Sequence, residues 1–234
     1  MTTWGFFLAA AVLAAADEKD DLRKAFEKTA ALGSYFYQWE LTTSVKDRSD
    51  KLAGAGEFVA PDLLTARTGI LELVKKGERA MARGAKGWVK PENDAKFKAA
   101  AENLRPPHQI VGYVVDSLEK AKREKDGEIR KATCRVVSGS LDADGLKGLF
   151  RAGGGSLDSL EKVIDWNAST SVQLWIDADG RLIKMAVESK LVISHDVAKN
   201  EPPVRVNRTV EFMELNTAKP SIVPEVKDAL GIKE

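Results

Sequence analysis

From Ser34 to Val45 the side chains alternate without a break. Tyr35, Tyr37, Trp39, Leu41, Thr43 and Val45 fall on one face, and Phe36, Gln38, Glu40, Thr42 and Ser44 on the other. A period of two is the signature of a β-strand, and one near twice the usual length of about five or six residues belongs to a large curved sheet. The aromatic face must be covered by something. Either it is the wall of a cavity for an apolar ligand, with phenol and indole groups near the mouth, or it is ordinary packing beneath a helix.

The rest of the chain supplies more strands and the helices to cover them. Residues 20–33 put Leu22, Phe26, Thr29 and Ala30 on one helical face ahead of Gly33. Strand-like runs over 54–60, 64–76 and 78–90, separated by Pro61-Asp62, Lys76-Gly77 and Gly84, read as a meander. Asn93 is positioned to cap a helix carrying Phe97, Ala100, Ala101 and Leu104. A second helix is predicted over 108–123 from the stripe Ile110, Val111, Val114, Val115 and Leu118. A strand over 128–138 and helices over 142–151 and 156–165 follow, the last carrying Leu157, Leu160, Val163 and Ile164 after a Gly153-Gly154-Gly155 joint. The chain then returns to strands. Val172, Leu174 and Ile176 lead to an Asp179-Gly180 turn, residues 181–195 carry Ile183, Met185, Val187, Leu191 and Ile193, and a last strand carries Val204, Val206, Val210 and Phe212. The predicted class is α+β, with helices covering the concave face of a curved antiparallel sheet.

Charge and targeting signals narrow the setting. Thirty-six Lys and Arg against 35 Asp and Glu leave a formal net charge of +1, which gives no field to attract nucleic acid. Residues 4–16 are too short to span a bilayer but have the length of a signal-peptide apolar region. Ala14-Ala15-Ala16 then meets the charged run 17–21. Residues 1–16 are therefore read as a signal peptide and 17–234 as a single domain, periplasmic or secreted. The first three residues lack Lys or Arg, and an N-terminal helix packed on the domain is the alternative.

Few motifs suggest chemistry. Asp142-Ala143-Asp144-Gly145 and Asp177-Ala178-Asp179-Gly180 resemble the start of a calcium loop, but neither continues with the later ligands, and both read as turns or a helix entry. The triple glycine lacks the Gly-Lys-Ser/Thr ending of a phosphate loop. There is no G-x-S-x-G elbow, and His108 and His195 are the only imidazoles. A hydrolase with two converging carboxylates is the weakest option, so no enzyme, no metal and no cofactor are expected. Cys134 reads as a small buried hydrophobe, and Asn167 and Asn207 open glycosylation sequons that have meaning only in a eukaryotic secretory pathway. Arg208 shares the face of Val206, Val210 and Phe212. It must pair with a carboxylate, meet a ligand head group, or sit at a solvated rim, the reading favoured from the pattern alone.

The leading helix to Gly33, the aromatic strand, the Gly56-x-Phe58 and Pro61-Asp62 segment, and the run 172–177 entering a hairpin resemble the LolA-like family of periplasmic lipoprotein carriers and related lipid-binding lipoproteins. The C-terminal strand, ending near Pro220 and Pro224, is similar too. This resemblance implies an unclosed barrel with helices over its concave face and an apolar cavity able to receive acyl chains. The expected function is non-enzymatic binding of a lipid or acylated protein by a monomer. Candidate cavity residues are Tyr35, Tyr37, Trp39, Leu41, Val111, Val114, Val115, Val206, Arg208 and Phe212. The alternative is a structural or protein-interaction domain of the cell envelope with a closed core.

Overall fold

The structure is a computed structural model that describes residues 18–69, 71–85, 87–152, 163–166, 169–193 and 202–233. The segment read as a signal peptide lies outside the described residues, as do His195, Asn167 and the positions of Leu157 and Leu160. The described residues form one antiparallel sheet of 13 strands. Its core is a pair of long hairpin strands, β1 (Ser34–Val45) and β2 (Arg48–Val59), next to β13 (Val204–Met213) and β12 (Leu182–Ile193). One wing continues through β3 (Leu63–Thr68), β4 (Glu72–Lys76), β5 (Arg79–Gly84) and β6 (Gly87–Val89). The other continues through β11 (Thr170–Ile176) and β9 (Ala132–Ser140) to β7 (Glu119–Arg123), while β8 (Gly127–Ile129) pairs with β9 and β10 (Ile164–Asp165) with β12. The end strands β6 and β7 do not pair with each other, so the barrel is unclosed.

Covering helices are what the strand alternation requires. The helix over 18–30, α1, and α3 (Pro107–Ser117) bury Leu22, Ala25, Val111, Val114 and Val115 against Tyr35, Leu174, Met185 and Phe212. Burial of each large aliphatic side chain contributes about 1.5–3 kcal/mol relative to exposure. Phe26 of α1 brings the tip of its ring so close to α3 that a Cβ at Gly112 would meet it at 2.5 Å. Helix α2 (Ala95–Asn103) covers the β4–β5 wing through Phe97, Ala100 and Ala101, packed on Leu73 and Ala82. Helix α4 (Ala143–Ala152) places Leu146 with Trp166 and Leu191. The last helix, α5 (Pro224–Leu230), packs Val226 and Leu230 on Val74 and Met81, on the opposite side of the wing from α2.

The structure corrects several sequence expectations. The helix predicted over 108–123 stops at Ser117, and Glu119–Arg123 form the strand β7. Only Ala121 of that strand is buried, and its charged remainder suits an edge that must not recruit another chain. The strand predicted over 128–138 is two strands, β8 and β9, joined at Arg130 and Lys131, both with positive φ of 50° and 67°. The run over 64–76 likewise divides into β3 and β4. The cap of α2 is Asp94 rather than Asn93, since its carboxylate accepts from the Lys96 amide at 2.8 Å. Val163 to Asp165 form a turn and the short β10 rather than helix. A bulge between Trp175 and Ile176 pairs Ile176 with Leu182, so Leu182 rather than Ile183 is fully buried.

Candidate functional site

The aromatic strand lies flat against its neighbour because two glycines face it. Tyr37 pairs with Gly56 and Trp39 with Gly54. A Cβ at Gly54 would sit 2.7 Å from the Trp39 indole nitrogen, and one at Gly56 would sit 2.7 Å from Tyr37 Oη. With the rings lying over β2, space remains between β1 and α2. There a cavity of about 310 Å³ is lined by Tyr37, Trp39 and Leu41 of β1, Ala66 and Leu73 of the wing, Ala100 and Leu104 of α2, Ile110 of α3, and Arg208 and Val210 of β13. Leu52, half exposed, and Leu71 also border it. A second apolar cavity, about 240 Å³, is lined by Leu149, Phe150, Val187, Leu191 and Val206. Leu41 and Arg208 border both, so the two cavities lie side by side on the concave face.

The ten residues named from the sequence are divided by this geometry. Tyr37, Trp39, Leu41 and Arg208 line the first cavity, and Leu41, Val206 and Arg208 the second. Tyr35, Val111, Val114, Val115 and Phe212 are packed in the main core beside them, each no more than 3 % exposed. Neither phenol stands at a mouth. Tyr37 Oη donates to the Thr65 carbonyl at 2.6 Å, and Tyr35 Oη lies 2.6 Å from His108 Nδ1. Burial raises both phenol pKa values, so both hydroxyls stay protonated. The contributions of β3, β4 and α2 were not among the ten. Ala100 and Leu104 were legible as an apolar helix face, but not which part of the sheet that face would meet.

Arg208 projects from β13 between Leu41 of β1 and Val187 of β12. It is partly exposed, and burial of its guanidinium holds its pKa below the ordinary arginine value. Among the described residues its one hydrogen bond is long, 3.4 Å to the Leu149 carbonyl, and it pairs with no carboxylate. Other charged groups are engaged locally. Asp177 accepts from the Arg181 amide at 2.8 Å and pairs with its guanidinium, and Asp142 accepts from the Gly145 amide at 2.7 Å, so both Asp-Ala-Asp-Gly segments serve a turn and a helix start.

His108 stands at the start of α3, one of the helices over the concave face. Its ring lies edge-on to Tyr35 and Phe58, and burial lowers its pKa from 6.5. A folded-state histidine that resists protonation loses stability as pH falls through the unfolded value, because the unfolded chain then binds the extra proton. Thermal melting should therefore fall between about pH 7.5 and about pH 5, and His108→Gln should flatten that part of the profile. An unchanged profile in the variant would show that His108 does not carry the effect.

Among the described residues no helix is long and apolar enough to cross a membrane. No protein-family model and no curated protein sequence matches the chain. Solved structures do match. The lipoprotein LppX of Mycobacterium tuberculosis aligns at 10 % identity over 88 % of this chain and 98 % of its own, with a TM-score of 0.51. LprF of Mycobacterium bovis aligns at 13 % identity over 89 % and 97 %, with a TM-score of 0.52. A LolA superfamily protein of Nitrosomonas europaea aligns at 9 % identity over 89 % and 96 %, with a TM-score of 0.32, too low to bear on the fold. The chain shares its fold with LppX and LprF, and its architecture is a half-barrel: an unclosed antiparallel sheet with helices over the concave face.

Proposed function

We propose that this chain is an exported, non-enzymatic carrier that holds an acyl chain, from a lipid or from an acylated protein, in the groove along β1 and β13. The observation that carries this reading is the cavity of about 310 Å³ walled by Trp39, Leu41, Leu73, Leu104 and Ile110. Its size falls at the lower end of the range of about 300–1,000 Å³ for small-molecule sites. An acyl chain entering it would replace missing core, each buried methylene contributing about 0.8 kcal/mol.

Trp39 provides the direct test, because its indole borders the cavity. Titration with palmitate should shift and enhance tryptophan emission saturably, and Trp39→Phe should remove most of that change while the protein still binds. A response unaltered by Trp39→Phe would place the ligand elsewhere. The second reading, an interaction domain with a closed core, is supported by the tight packing of Tyr35, Val111, Val114 and Val115. It requires that palmitate produce no saturable response at all.

A further inference from the structure

The groove is apolar but not neutral. Its two cavities are lined by Arg105 and Arg208 and, among the described residues, by no aspartate or glutamate. The nearby acids are committed elsewhere: Glu72 pairs with Arg67 and Arg83, Glu40 with Lys51, and Glu57 accepts from Thr65. Arg105 is exposed at the edge of the first cavity and donates to the Glu102 carbonyl at 2.8 Å. Arg208 is different, since it is set among Leu41, Val187 and Val206 with one long hydrogen bond for a fork of five donors. A guanidinium keeps its charge, and a charge in an apolar wall is stable only if something outside the wall completes its hydrogen bonds.

Resting on the acyl-chain reading above, we infer that the ligand is a single-chain amphiphile with an oxyanion head group. The head group pairs with Arg208 at the junction of the two cavities, and the chain lies along β1 between Trp39 and Leu104. The planar fork of an arginine matches the two oxygens of a carboxylate or phosphate. The cavity volume suits one chain better than several, and Arg105 adds a second positive charge at the edge. A neutral lipid would leave the guanidinium facing methylenes, so the groove discriminates by head group as well as by chain.

The experiment compares palmitate, hexadecyl phosphate and hexadecanol, each below its micelle concentration, against wild type, Arg208→Gln and Arg208→Lys, with inorganic phosphate as competitor. In wild type both anions should bind about tenfold tighter than the alcohol. Arg208→Gln should bring all three within about twofold, and Arg208→Lys should keep most of the preference, which separates lost charge from a damaged fold. Inorganic phosphate alone should not compete. Equal binding of alcohol and anions to wild type, or an anion preference that survives Arg208→Gln, overturns the inference and leaves the carrier reading standing. Displacement by inorganic phosphate overturns it in favour of a free-anion site. Failure of all three ligands to bind overturns the carrier reading itself.

Discussion

Gly56→Val is expected to destabilise the protein by about 3 kcal/mol or to prevent folding, the largest effect foreseen for a single substitution here. The strands β2 and β3 approach so closely at this point that a Cβ on residue 56 would overlap the Thr65 carbonyl and lie 2.7 Å from Tyr37 Oη. The carbonyl is backbone and cannot swing aside. The tyrosine cannot yield without losing its 2.6 Å bond to the same carbonyl, which would leave a buried hydroxyl unsatisfied. Gly69→Ala is the matched control, since nothing lies within 4 Å of a Cβ there. Urea denaturation should show a large loss of midpoint for the first and a change within about 0.5 kcal/mol for the second. Similar midpoints would mean that β2 and β3 are not so tightly apposed.

Ala100→Trp is expected to weaken acyl-chain binding at least tenfold while leaving the fold intact. Ala100 stands on α2 at the cavity wall and is only partly buried, so an indole can project into existing space rather than displace packed core. Each methylene it displaces removes about 0.8 kcal/mol of burial, so the loss of two already accounts for about tenfold. Calorimetric titration with palmitate measures the affinity, and thermal melting reports the fold. Unchanged affinity would place the chain outside this cavity, whereas a collapsed melting transition would show that the space is not there to be filled.

These two expectations differ in how far they could be read from the sequence. The alternation in β1, β12 and β13 identified the concave face and set Arg208 on it, because a period of two admits no other assignment. The resemblance carried by the same strand and by Gly56-x-Phe58 led to the correct half-barrel. Elsewhere tertiary pairing overrode local preference. Residues 119–123 are charged and helix-compatible, yet they pair with β9. Arg130 and Lys131 make a tight turn with two left-handed residues and no glycine, which no turn signal announces. The start of β2, from Arg48 to Lys51, is exposed and polar, so it carries no hydrophobic period. Helix α5 carries its signals in the sequence at both ends, Pro224 opening it and Gly231, at φ 63°, closing it.

The candidate site was legible as a face but not as a cavity. The pattern that names Tyr35, Tyr37 and Trp39 treats them alike, whereas Tyr35 is packed under α3 and His108 while Trp39 borders open space. That difference depends on where α2 and α3 lie along the sheet, and it follows from long-range packing that no spacing encodes. The same holds for Arg208. Its place on the inward face was readable, but not that two apolar cavities would border it there.

The most direct test of the carrier reading is native mass spectrometry of the protein purified from its own host, with organic extraction of whatever is bound. The account predicts a stoichiometric mass increment that is recovered in the extract as an acyl-chain species, and its return when palmitate is added to delipidated protein. A single apo mass with no uptake of added palmitate would contradict it and leave the closed interaction domain as the reading of this fold.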